Sequence, residues 1–430
     1  MAAHASNIFK ALSAFTQAML EKIVPREFDS KIWIIFIGNL VNMFGQSMVW
    51  LFLTIYLNLQ LGMSMTYIGS MFLVGTWVSV VFQVVSGSLC DTWGRKTIMA
   101  VGLALQAVIF LLLGLARDQT AVFVLFVVQG AVGSLYRPAA QAMIADLVGE
   151  ERRVEAYGSL RVGANAGYGL GAMVGGFLAS ATYSSLFFVA SLTNALYFML
   201  VIIFLTETIP HRDTEQRPLK AMLVSYFTGY RLVATNAVMA TYAIAASLNS
   251  FVYAQSGTTF SVFAMSTVGI TTQQIGYMWA MNAWLVVFLQ MPIAACLKNV
   301  HIHKALAAGS VLYLLSFGIL PAVTTYTGIL AFMLLFTAGE LVISPVLMTF
   351  VANIAPIDMR GRYMAFSNIA QSVGHSMGPF VGGRVMDKAP VAYVWYLATI
   401  GALASAALFF RLGALVGRSP PAQTCTVDKE

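Results

Sequence analysis

Twelve apolar runs, each about as long as the roughly 20 residues a membrane-crossing helix needs, take up most of this chain. They lie near 32–57, 66–89, 97–116, 120–145, 155–181, 184–205, 237–264, 272–297, 304–321, 325–352, 363–386 and 391–414. In lipid, backbone N–H and C=O groups must be bonded internally. Continuous runs of this length do that as helices, whereas a barrel would show alternating segments of about ten residues. The expected fold is an all-α integral membrane protein with twelve transmembrane helices. Composition excludes a soluble domain: 59% of the 430 residues are hydrophobic and 10% charged, against about 25% charged in an ordinary soluble domain.

The basic residues orient the chain. With the N-terminus inside, nearly all Lys and Arg fall on the cytoplasmic side, and only Arg117, Arg384 and Lys388 fall outside. Both termini are therefore expected in the cytoplasm, with the chain multi-pass in the plasma (inner) membrane. The net charge of +7 reads as a signal of topology and does not call for nucleic acid. Cys90, Cys296 and Cys425 map to the cytoplasmic side, where disulfides are not expected. The first residues lack a cleaved signal peptide's design. Ile8, Leu12, Phe15, Met19 and Ile23 instead have the spacing of an amphipathic helix lying at the interface.

Adding 207 to a residue number repeatedly returns the same residue. Asn42 meets Asn249, Gly62 meets Gly269, Trp77 meets Trp284, Gln83 meets Gln290 and Gly102 meets Gly309. The register continues through Pro138 and Pro345, Arg153 and Arg360, Gly167 and Gly374, Gly171 and Gly378, and Gly175–Gly176 with Gly382–Gly383. This predicts a cytoplasmic segment at 1–31, a six-helix bundle at 32–206, a linker with an amphipathic helix at 207–235, a second bundle at 236–415 and a tail at 416–430. Two parallel repeats facing each other would enclose a central cavity that opens to either side by rocking.

Between the second and third runs, Gly87-Ser-Leu-Cys-Asp91-Thr-Trp-Gly94-Arg95-Lys96 concentrates charge in an otherwise oily chain. It resembles, at each defining position, the loop between helices two and three of the major facilitator superfamily. Glycine at 87 permits close helix approach, glycine at 94 a tight reversal, and Arg95 and Lys96 hold the loop in the cytoplasm. The resemblance implies that Asp91 faces the amino end of the eleventh helix and locks an inner gate, and that Arg95 pairs with Asp146. At offset 207 this cluster is lost, with Lys298, Ile302 and Asn353 in place of Asp91, Arg95 and Asp146.

GAMVGG at 171–176 and GPFVGG at 378–383 are similar to the glycine-rich fifth-helix signature of exporters in that superfamily, although Ala172 stands where the signature has the proline that the second copy keeps as Pro379. Gly163, Gly167, Gly171 and Gly175 form a small face every fourth residue that lets another backbone approach. Gly176, Gly374, Gly378, Gly382 and Gly383 are assigned to helix packing in the same way.

Glu340, in FTAGELVISP, lies about twelve residues from either end of its run, roughly 18 Å along the axis from each surface. An ionised acid there costs about 2.5–3.5 kcal/mol even on a lenient insertion scale, so it should face the cavity and serve a purpose. Proton coupling, cation binding and structural pairing are all open to it. Similar glutamates occur among multidrug proton antiporters of the superfamily. His375 either joins the proton path or packs through a hydrogen bond. Arg137 steers an anionic substrate group, pairs with an acid when the cavity changes shape, or snorkels to the inner surface. Asn42, Gln46, Asn249 and Tyr253 are candidate substrate contacts, or simply bond neighbouring helices.

Gly374-His-Ser-Met-Gly378 spells the G-x-S-x-G of a hydrolase elbow, but lies inside an apolar run where no strand–turn–helix can form. No phosphate-binding G-x-x-x-x-G-K-[ST] is present. His301 and His303 lack neighbouring ligands, so no metal and no cofactor are expected. The reading is a non-enzymatic, monomeric secondary transporter exporting amphipathic or cationic small molecules in exchange for protons. The alternatives are an importer of a defined, possibly anionic metabolite, a lipid flippase, and a non-transporting receptor.

Overall fold

The computed structural model describes residues 28–149, 152–208, 233–298, 300–356 and 359–416. The interfacial helix expected before residue 28, the amphipathic helix of the linker and Cys425 lie outside them. Helix α1 spans Ser30–Ile55 and runs on through a π-helical turn, Tyr56–Gln60; α2 is Met65–Trp93, α3 Arg95–Leu115, α4 Gln119–Leu147, α5 Arg153–Ala181 and α6 Ser184–Phe204. After the linker come α7 (Ala237–Gly257), a short α8 (Thr259–Ser266), α9 (Thr272–Leu297), α10 (Ile302–Ile319), α11 (Tyr326–Ile354), α12 (Arg360–Lys388) and α13 (Ala392–Val416). No strand occurs among the described residues. The chain is an all-α membrane protein.

Among the described residues, ten stretches are long and apolar enough to cross a membrane by length and composition alone. The two remaining long helices are α5 and α12, the glycine-rich pair, whose apolar content is diluted by small and charged residues. Polar side chains start several helices by accepting from otherwise orphaned N–H groups. Asp29 accepts from Lys31 N at 2.9 Å, and this bond holds its carboxyl below the usual range. Thr271 and Gln274 form a reciprocal capping box at α9. One expectation shifts: the charged stretch at 86–99 is mostly helix, because α2 continues to Trp93 and only Gly94 separates it from α3.

The second half repeats the packing of the first. In the first half α1 lies on α5 and α6, α2 on α4, and α3 on α4 and α6; the counterparts are α7 on α12 and α13, α9 on α11, and α10 on α11 and α13. Gly62 and Gly269, 207 residues apart, both adopt positive φ, 64° and 77°, in the same inter-helix turn. The halves meet chiefly through α2 with α12 and α5 with α9. At one end of that interface Asp387, near the end of α12, accepts from Met65 N at 3.0 Å, Thr66 N at 2.7 Å and Thr66 Oγ1 at 2.6 Å at the start of α2. The rings of Phe177 and Tyr277 pack 5.8 Å apart between α5 and α9.

The glycines explain how closely the helices of each half approach. A Cβ on Gly167 or Gly171 would run into the α1 carbonyls of Leu40 and Phe44, and one on Gly374 or Gly378 into the α7 carbonyls of Ser247 and Phe251. Gly163 and Gly175 face Phe36 and Met48, Gly382 faces Gln255, and Gly176 and Gly383 lie across the interface against Thr272 and Met65. Pro379 and Phe380 abut Gly69 in the same interface. Gly374→Ala must push α12 from α7 and is expected to cost about 1–3 kcal/mol. Gly158→Ala in α5, with open space around it, is expected to be neutral or stabilising by up to about 1 kcal/mol. Thermal unfolding in detergent compares the two directly.

Candidate functional site

Two chambers lie side by side between the halves. The first, about 370 Å³, is lined by Gln46, Trp50, Gln129, Tyr168 and Trp279 among others. The second, about 600 Å³, is lined by Gln83, Arg137, Asn249, Glu340 and Gln371 among others. Thr76, Tyr253 and His375 border both. The first lies nearer the Asp387–Met65 closure, and the second extends toward the end where α2 meets α3.

Glu340 sits at the middle of α11 on the wall of the second chamber. Tyr253 OH donates to its Oε1 at 3.3 Å, and Asn282 Nδ2 donates to its Oε2 at 3.0 Å. Asn282 also donates to Thr337 Oγ1 at 2.9 Å. Both of these donors are neutral, and no Lys, Arg or His among the described residues forms an ion pair with the carboxylate. Tyr253 is fixed by stacking on Phe336, 5.4 Å between centroids, and its ring lies 6.4 Å from that of His375.

One turn past Glu340 the helix is weakened. Pro345 has no N–H, so the carbonyl of Leu341 loses its helical partner, and Gln290 Nε2 of α9 donates to it at 3.2 Å instead. Arg161, on α5 of the other half, donates through Nη2 to Ser344 Oγ at 3.0 Å and to Gln290 Oε1 at 3.4 Å.

The other candidate residues separate. Gln46 lines the first chamber and donates to Gln106 Oε1 at 3.1 Å, while Asn249 lines the second and donates to Ser310 Oγ at 3.3 Å. Asn42 takes the second of the two roles open to it, bonding a neighbouring helix. It is fully buried, lines neither chamber, and bonds Asn194 of α6 at 2.9 Å and Gln46 at 2.9 Å. A polar residue at mid-helix can face a neighbour as readily as a cavity, and here α6 claims it. Arg137 is exposed in the second chamber and makes no hydrogen bond or ion pair among the described residues. Ser376 is buried on α12 and donates to Val373 O at 3.1 Å, so the hydrolase-like pentapeptide is ordinary helix.

At the charged motif Arg95 forms an ion pair with Asp146, and its Nη1 donates to Ala142 O at 2.9 Å. Asp146 also accepts from Thr208 Oγ1 at 2.8 Å. Gly94 has φ 89°, and a side chain there would collide with Glu207. Glu207 accepts from Arg95 N at 2.8 Å and Lys96 N at 3.0 Å, capping α3, and Lys96 Nζ donates to Ile202 O at 3.0 Å. The surroundings of Gly87 and of the Asp91 side chain lie outside the described residues.

Asn282, Glu207, Arg161 and Asp387 were not singled out from the sequence as site residues. Asn282 carried a usable signal, an amide near the middle of an apolar run. The other three sit at helix ends or in basic stretches, where charge is ordinary.

The sequence model of the Major Facilitator Superfamily matches residues 35–379, and again 243–424. The chain belongs to the Major Facilitator Superfamily. Similar superfamily members include the MFS-type transporter YttB of Bacillus subtilis, 27% identical over 82% of this chain and 88% of that one. A Na(+), Li(+), K(+)/H(+) antiporter of Planococcus maritimus is 24% identical over 77% and 84%, and multidrug resistance protein 1 of B. subtilis 24% over 79% and 86%. In fold the chain is similar to the crystal structure of a peptide transporter, POT, with TM-score 0.76 and 15% identity over 93% of this chain and 98% of that one. This superfamily member is a membrane transporter and not an enzyme.

Proposed function

We propose that the protein is a secondary transporter that exchanges protons for amphipathic or cationic small molecules by rocking its two six-helix halves about the central cavity. The observation that carries this reading is Glu340: a mid-membrane carboxylate on the cavity wall, held by neutral Tyr253 and Asn282 and forming no ion pair among the described residues. Such an acid has two ways to avoid an uncompensated charge, a proton or a bound cation. If the two exclude each other, binding of one releases the other, which is antiport. Trp50, Tyr168 and Trp279 above it offer aromatic faces to the apolar part of a cation. The names of similar proteins, an H(+) antiporter and a multidrug resistance protein, agree with exchange and with varied substrates.

The Lys- and Arg-rich ends are assigned to the cytoplasm, in the plasma membrane. On that assignment the Asp387–Met65 closure is external and the second chamber faces inward. The test is flux in proteoliposomes under an imposed pH gradient, across a chemically varied panel, comparing wild type with Glu340→Gln. Arg137, unpaired in the same chamber, favours a second reading, carriage of an anionic metabolite. Flux of anions that ignores the gradient and Glu340→Gln but is lost in Arg137→Gln would select it.

A further inference from the structure

Arg161 was counted from the sequence among cytoplasmic charges, yet the fold carries it across the interface between the halves. Its guanidinium rests on Gln290 of α9 and on Ser344, which lies four residues along α11 from Glu340. In a helix that separation is one turn, 5.4 Å of rise, with both side chains on the same face. A flexible arginine side chain can sweep that distance without moving its backbone. The intervening turn of α11 is the one whose ladder is broken by Pro345 and patched by Gln290.

We propose that Arg161 is an intramolecular counter-cation for Glu340. When neither a proton nor a cationic substrate occupies the acid, the guanidinium leaves Ser344 and Gln290 and pairs with the carboxylate. When either arrives, it returns to the contact seen here. This rests on the reading of Glu340 as the exchange site and specifies how that site is emptied. An ionised, empty Glu340 is the costliest state of the cycle, because two neutral donors do not cancel a charge at that depth. Arginine suits the task, since its planar fork stays charged and matches a carboxylate. The other ionisable groups around the acid are Arg137 of α4, Tyr168 of α5, Tyr253 of α7, Tyr313 of α10 and His375 of α12. Of the two arginines, only Arg161 is bonded to α11.

The test uses tetraphenylphosphonium as the cationic probe on the full chain. Removing an internal competitor should tighten binding: Arg161→Met is expected to bind the probe about tenfold more tightly than wild type, with Arg161→Lys in between. Gradient-driven accumulation of the probe in proteoliposomes should fall at least fivefold in Arg161→Met, because without the internal competitor the cation leaves the acid more slowly and only the proton displaces it. Ser344→Ala, which removes only the resting contact, should not tighten binding. In a Glu340→Gln background, Arg161→Met should change affinity no further.

A residue that merely ties α5 to α11 would lower thermal stability without tightening the probe. Unchanged or weakened binding in Arg161→Met therefore overturns the proposal while leaving the exchange site standing. Tightening in Arg137→Met but not in Arg161→Met overturns it too. If the wild type does not bind the probe, or if Glu340→Gln moves neither binding nor flux, the parent reading fails and this inference with it.

Discussion

Glu340→Gln is expected to abolish the response of transport to an imposed pH gradient, reducing gradient-driven accumulation of a cationic substrate at least tenfold. Glutamine keeps the volume, its one oxygen can accept from Asn282 Nδ2, and its NH2 can donate to the Tyr253 hydroxyl oxygen, so both contacts of the wild-type side chain can persist with one reversed. It cannot ionise, so it mimics the proton-loaded carrier and should fold as the wild type does. The loss should therefore appear in coupling more than in protein yield. A cation that gains about 1.4 kcal/mol or more from the carboxylate loses at least tenfold in affinity without it. Accumulation in response to the gradient that matches wild type would remove Glu340 from the coupling step.

The second large effect is expected at the far end of the cavity. Asp387→Asn should move the resting ensemble toward opening at the Met65–Asp387 end. The carboxylate takes two backbone N–H groups at the start of α2 and the Thr66 hydroxyl, bonds strengthened by its charge and by the helix dipole. Asparagine offers one acceptor oxygen, and its NH2 faces donors. Discounted for solvent exposure, the change is about 1–2 kcal/mol, a roughly 5- to 30-fold shift in population. Spin labels at Thr120 and Thr324, exposed residues of the two halves, should show a longer distance population in electron–electron resonance. Asp91→Ala, which by resemblance weakens the gate at the opposite end of the same helix pair, should shift the ensemble the other way. A label distance unchanged in Asp387→Asn would mean that the closure is held by the glycine contacts of Gly69 and Gly383.

Some of this arrangement was legible in the chain. Glu340 stands out because a carboxylate in the middle of an apolar run is costly enough to need a reason. The 207-residue offset survives in glycines and prolines because close packing and turns restrict those positions more tightly than apolar side chains are restricted. Gly62 and Gly269 show this in their shared positive φ. Asn42 shows the limit. The sequence placed it at mid-membrane but could not say whether it faced α6 or the cavity, since rotation of a helix about its axis is decided by all of its neighbours.

Spans, their all-helical nature, the duplication and the buried acid follow from the amino acids alone, because lipid forbids an unbonded backbone and penalises charge wherever the chain crosses it. Who meets whom does not follow in that way. The donors on Glu340, the cap that Glu207 places on α3, the reach of Arg161 to Ser344 and the grip of Asp387 on α2 join residues from 58 to 322 positions apart. Those contacts arise from helix rotation and approach, which the packed bundle sets collectively and no local stretch encodes.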